Sequence, residues 1–156
     1  MKARWLITNG VYVITANWGG RLNGMAAAWV TRISAEPVLV AVAIWHENLT
    51  YRYVQKSGAF AVNILGEGQQ ELARWFGRRS GRDVDKFARA PYRLGPTGSP
   101  ILEEALAYLD CSVIFERAFG DHTLFVGEVM EEGVQHEGAP LVYRHEEYFA
   151  PKERRA

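Results

Sequence analysis

The 156 residues fit one ordinary domain, and basic and acidic side chains balance at a formal charge of zero, so no global field draws nucleic acid to the chain. The single cysteine, Cys111, excludes an internal disulfide, a thiol-redox pair and a cysteine-built zinc cage. No apolar run approaches a membrane span, and the start MKARWLITNGVYVIT lacks the apolar stretch and cleavage site of a leader, so the expected setting is cytoplasmic, away from membranes.

Taken in chain order, residues 11–16 are β-branched or aromatic and predict a strand that stops in the turn 17–20. Residues 26–33 follow a glycine turn and end in Val30, Thr31 and Ile33, which predicts a second strand. VLVAVAIW, residues 38–45, is apolar throughout and predicts a strand buried on both faces. Asn48 can cap a short helix that Gly58 stops. FAVNIL, residues 60–65, returns as a strand, and Leu72, Trp75 and Phe76 at i, i+3 and i+4 predict an amphipathic helix beginning near Glu67. Arg74, Arg78, Arg79, Arg82 and Lys86 surround the stretch SGRDVDK and make the one local concentration of positive charge. Two long strands are predicted over 107–118 and 122–132, the second with Leu124, Val126, Glu128 and Met130 on one face and with Gly120 and Asp121 in the turn. Residues 141–143 read as a last short strand, and 151–156 as a loose tail. Many strands, two helices and no regular strand-helix alternation predict a mainly β chain folded as a closed or partly open antiparallel barrel, in one domain over 1–156.

The chain has no Rossmann fingerprint, P-loop, nucleophile elbow or paired-histidine helix, and its four histidines lie in unrelated segments, so no metal site is expected. Two features point to a ligand. The start of the helix capped by Asn48, with the Thr50 hydroxyl beside it, offers donors and a helix dipole to an anion, although such a cap can equally serve its own helix. NGMAAAWVTRIS, residues 23–34, places small side chains beside a tryptophan, which suits either a flat ring or close core packing.

The order NGMAAAWVT, NLT, FAVNIL, SGRDVDKF, LDCSV and GDHTLFVGEV resembles the flavin reductase-like family, including its flavoredoxin branch, over nearly the whole chain. The resemblance implies a split β-barrel homodimer, an antiparallel barrel of Greek-key type, with FMN in a groove near the subunit boundary, and NADH or NADPH as hydride donor. It places Asn23 and Trp29 beside the isoalloxazine, with Met25, Ala26, Ala27, Ala28 and Thr31 offering backbone to the ring's polar edge. Asn48, Leu49 and Thr50 match the phosphate contact, with NLT standing where many members carry a serine-rich segment. Lys86 matches a lysine that reaches the flavin, Ser80 and Gly81 shape its loop, and Tyr148 or Phe149 resembles a terminal aromatic that covers a ring. His122 matches a histidine near the flavin and the nicotinamide, the one candidate catalytic residue. Three functions follow from the resemblance: an NAD(P)H-dependent flavin reductase serving an oxygenase or other acceptor protein, an FMN-carrying electron-transfer protein, and a flavin- or haem-binding sensor or storage module. Cys111 reads as a buried structural thiol.

Overall fold

In the computed structural model, which describes residues 1–148, nine strands and three α-helices follow one another as β1 (Tyr12–Trp18), β2 (Arg21–Ala27), β3 (Val30–Ala35), β4 (Val38–Trp45), α1 (Leu49–Ser57), β5 (Ala59–Ile64), α2 (Gln70–Gly77), β6 (Tyr92–Leu94), β7 (Pro100–Leu102), β8 (Ala107–Phe119), β9 (His122–Val134) and α3 (His145–Tyr148), with single 3-10 turns at Ala3–Leu6 and Lys86–Arg89. Seven strands form one antiparallel sheet in the order β2-β1-β5-β8-β9-β4-β3, and β6 pairs with β7 apart from it. The sheet curls around a core made by Ile14, Val40, Val42, Ile44, Val54, Val62, Phe60 and Phe125, which is the split barrel expected from sequence. No helix among the described residues is long and apolar enough to cross a membrane.

Local chemistry explains the elements. Gly19 and Gly20, at φ 59° and 90°, supply the left-handed pair that a two-residue turn between β1 and β2 requires. Asn48 Oδ1 accepts from Thr50 N at 2.9 Å, and Gly58, at φ 69°, ends α1 as a left-handed cap. On the outer face of the sheet, beneath β7, Asn63 donates to Val13 O and Thr15 Oγ1, both at 3.1 Å, and accepts from Leu102 N at 2.8 Å. The polar residue of FAVNIL thus ties β1, β5 and β7 together, each buried group satisfied. Cys111 is buried among apolar side chains, which pushes its thiol up to about 12 and leaves it unreactive.

Three expectations change. The strand predicted over 26–33 is two strands, because the chain leaves one edge of the sheet after Ala27, crosses at Ala28 and Trp29, and enters the opposite edge at Val30. β4 has the predicted bounds but is buried only along its middle: Val40, Ala41, Val42 and Ile44 are buried, while the strand's two ends, Val38 and Trp45, are exposed. On β9, Leu124, Val126 and Glu128 share one face as expected, and the opposite face sends Phe125 into the core. Residues 140–142 form only isolated bridges, Gly66 to Pro140 and Gly10 to Val142, with no strand of their own. β6 and β7, in the stretch rich in proline and glycine, carried no period-2 signal.

Candidate functional site

The outward face of β4 is where the site begins. Alternation sends Val40, Val42 and Ile44 into the barrel core and turns buried Ala41, half-buried Ala43 and exposed Trp45 to the other face, and the register sets Leu124 beside Ala43 and His122 beside Trp45. Ala26, Ala27 and Ala28 close one side, and Ala73 and Gly77 of α2 close another. The space between is a groove of about 900 Å³, within the range of small-molecule sites, with a floor made chiefly of alanine and glycine. A methyl on Gly77 would stand 3.0 Å from the Ala26 Cβ, so the helix approaches the strand this closely only as glycine.

The strand bordering the groove also offers backbone. β2 is a sheet edge, and its ladder with β1 runs from the turn-closing pair Trp18 and Arg21. Antiparallel alternation then turns the N–H and C=O groups of Leu22, Gly24 and Ala26 away from β1 toward the open side. Gly24 O is taken by the Lys86 ammonium at 2.7 Å. Ala26 carries its outward pair of groups into the groove.

The groove's two ends differ. At one, the Trp29 and His122 rings lie 4.5 Å apart at 33°, with Trp29 57% exposed. The Trp29 carbonyl accepts from Ala43 N at 3.1 Å, which fixes the crossing segment against β4. His122 Nδ1 meets Asp121 Oδ1 at 2.7 Å, and that hydrogen bond holds the Asp121 carboxyl below its ordinary value. At the other end Trp5 stacks on His145 at 4.3 Å, and Arg4, Arg74 and Arg78 add three guanidinium groups. One end is therefore aromatic and the other cationic.

Of the residues expected from sequence, Met25, Ala26, Ala27, Ala28, Trp29, Thr31 and His122 all line this groove. A second set does not. Asn23 Nδ2 donates to Thr50 Oγ1 at 2.9 Å, both side chains are buried, and the backbone N–H of Thr50 is already spent on Asn48. Asn48, Leu49 and Thr50, expected at a phosphate, do not line the groove, and the Asn48 side chain caps its own helix. Gly81 packs on the Asn23 amide, where any Cβ would fall 2.1 Å from Oδ1, and Ser80 accepts from Arg82 N at 3.1 Å to shape the loop.

Lys86 is neither solvated nor pointed into the groove. It is 4% exposed, and its Nζ donates to Gly24 O and to Phe76 O at 2.8 Å, binding β2 to the end of α2 behind the groove floor. Burial alone holds this ammonium down to about 8. Tyr148 ends α3, and Phe149 lies outside the described residues.

Sequence reading missed Arg4, Trp5, Ala41, Ala43, Trp45, Arg74, Arg78 and His145. Two signals were present: small residues at alternate positions of VLVAVAIW, and Arg74 and Arg78 at i, i+4, which share one helix face. Arg4, Trp5 and His145 arrive from the chain's ends and had no local signal.

The model of the flavin reductase like domain matches residues 3–152. The chain belongs to the flavin reductase-like family. Among family relatives, it is 38% identical over 146 residues to the high molecular weight rubredoxin of Moorella thermoacetica, covering 92% of this chain and 64% of that protein. It is 35% identical over 145 residues to the NAD(P)H ferric-chelate reductase of Archaeoglobus fulgidus, covering 92% and 86%. It is also 35% identical over 139 residues to the reductase subunit of a flavin-dependent monooxygenase of Rhodococcus jostii, covering 89% and 70%. The solved FMN-binding protein of Thermus thermophilus superposes with a TM-score of 0.84 at 32% identity, over 91% of this chain and 85% of that one. This flavin reductase-like chain therefore shares its split barrel with an FMN-binding protein, as its order of motifs implied.

Proposed function

We propose that the chain holds FMN in the groove and works as an oxidoreductase, taking a hydride from NADH or NADPH and passing electrons to a separate acceptor. The observation that carries this reading is the groove itself: an alanine and glycine floor beside an open strand edge, with aromatic rings at one end and cations at the other. The residues present fit the group. Side chains no larger than methyl at Ala26, Ala28, Ala41, Ala43, Ala73 and Gly77 leave room for a planar ring, and the outward N–H and C=O of Ala26 match the donors and acceptors on such a ring's polar edge. Arg4, Arg74 and Arg78 are the charges suited to a phosphate, and the His145 ring stands beside them.

Bound FMN supplies the hydride chemistry, so the protein needs no catalytic dyad. What its residues contribute is position and exclusion of water: Trp29 and His122 wall the aromatic end, and Asp121 orients the His122 imidazole. The names of the relatives support the donor and the acceptor: a ferric-chelate reductase using NAD(P)H, and a reductase subunit serving a monooxygenase. The Moorella relative, named a rubredoxin, favours a second use of the same site, as an electron carrier between proteins. A homodimer accounts for the large apolar side chains left outside on four neighbouring strands, Ile33, Val38, Phe115 and Met130, each at least 40% exposed. Sedimentation at a dimer's mass checks it; a monomer at all concentrations removes it.

The deciding experiment is the absorbance spectrum of the purified protein with FMN, followed by anaerobic NADH or NADPH. A yellow protein that is bleached by either nucleotide supports the reductase. Bleaching only by a reduced protein supports the carrier. A colourless sample whose tryptophan emission ignores FMN removes both.

A further inference from the structure

Residues 74–93 contain seven Arg and Lys but only two Asp, in a chain with 18 of each sign overall, so the rest of the molecule carries the compensating excess of acid. Lys86 is consumed in the interior and Arg93 donates to Gln135. What reaches solvent beside the groove is a face made by Arg79, Arg82 and Arg89 next to Arg78.

The face is built around one ring. Trp75 donates its Nε1–H to Lys86 O at 2.7 Å, which locks the indole, and the guanidinium groups of Arg79 and Arg89 sit 4.2 Å and 4.8 Å from its centre. Two like charges from separate segments are thereby gathered on one fixed platform. Arg74 pairs with Glu71, whereas among the described residues no carboxylate pairs with Arg79, Arg82 or Arg89. Of the acids beside them, Asp85 caps its own turn through Phe87 N, and Asp83 is exposed in the loop. Favourable interaction with the α2 dipole accounts for arginines in the helix's last turn, but not for Arg82 or Arg89, which lie beyond it.

From this arrangement, and resting on the FMN reading above, we propose that the arginine face around Trp75 docks a small acidic redox protein that exchanges electrons with the flavin. Planar guanidinium groups held in place recognise carboxylates in pairs, and Arg74 and Arg78 join this face to the groove on one helix. A compact acidic protein can engage the face and avoid the acidic remainder of the molecule, whereas a long polyanion such as DNA would be repelled by it. The electron balance is simple: for each NAD(P)H oxidised, two one-electron partners are reduced and one proton is released.

The test uses a bacterial rubredoxin as the acidic probe, titrated calorimetrically into the FMN-supplemented protein at about 20 mM and about 300 mM salt. The wild type binds at low salt and weakens at high salt. Arg79→Glu with Arg89→Glu weakens binding at least roughly tenfold and flattens the salt dependence. Arg79→Gln with Arg89→Gln falls between, and the exposed α1 substitution Arg52→Glu changes nothing. Reoxidation of the photoreduced flavoprotein by hexaammineruthenium(III), a small cation, is not slowed in any variant. The proposal is overturned if the double reversal binds rubredoxin like wild type, if binding ignores salt, or if a DNA duplex binds the same face more tightly. Failure to retain FMN would refute the oxidoreductase reading, while the binding titration would still decide the docking face.

Discussion

Along β2 the odd-numbered side chains Asn23, Met25 and Ala27 enter the barrel, and the even-numbered Leu22, Gly24 and Ala26 turn toward α2. The barrel side holds polar groups that satisfy one another: Asn23 bonds Thr50, and Thr50 N bonds Asn48. The groove beyond Ala26 holds few polar side chains on its floor, yet it offers open backbone and unfilled volume. The sequence motifs drew both regions into one site. Polar residues well suited to a ligand are equally suited to each other, and the region with space is the one with the least side chain.

The contrast can be broken most sharply by filling the groove. Ala43→Phe adds a ring to its outward face, and FMN affinity should fall roughly a hundredfold, about 2.7 kcal/mol, with the circular dichroism of the wild type retained; unchanged FMN titration would move the flavin elsewhere. Next in size is Thr50→Val, which leaves the Asn23 amide buried without its acceptor. Urea denaturation should show a loss of about 1–3 kcal/mol, while the preference for FMN over riboflavin stays as it was. A loss confined to FMN would return the phosphate to the start of α1.

Lys86 tests the connection between the two regions. Because burial lowers its folded value to about 8 from the ordinary 10.5, the neutral amine favours the fold. That stabilisation is full above 10.5 and is lost as pH falls through about 8. Wild-type stability should therefore rise across this window relative to Lys86→Met, in denaturation series at several pH values; parallel profiles would mean the ammonium is solvated. The smallest effect is expected at the aromatic end, where His122→Ala should slow anaerobic reduction by NAD(P)H roughly fivefold and leave FMN affinity within about twofold; stopped-flow traces that match the wild type would make His122 a bystander to Trp29.

Much of the barrel was legible because β1, β4, α1, β8 and β9 are specified locally, by β-branched runs, by Asn48 and Gly58, and by the Gly120–Asp121 turn. The break at Ala28 and Trp29 was not, since nothing in an alanine run says that its two halves belong to opposite sheet edges. The floor of the site was half legible. NGMAAAWVT showed small residues directly, but Ala41 and Ala43 looked like core filler until the curl of the sheet turned them to the groove. For Thr50 and Lys86, residue type gave the right chemistry, and long-range pairing across 27 and 62 residues decided whom it served.

One consequence of the bare margin of β2 concerns handling of the protein in the cell. Ala26 keeps an unpaired N–H and C=O at the groove, beside a Gly24 carbonyl already taken by Lys86; without a flat tricycle to meet them, that short stretch of edge can accept a strand from another chain. Vitamin supply then becomes a matter of solubility as well as activity: cells short of riboflavin should accumulate this polypeptide in clumps, and its shelf life in the test tube should track how yellow it is.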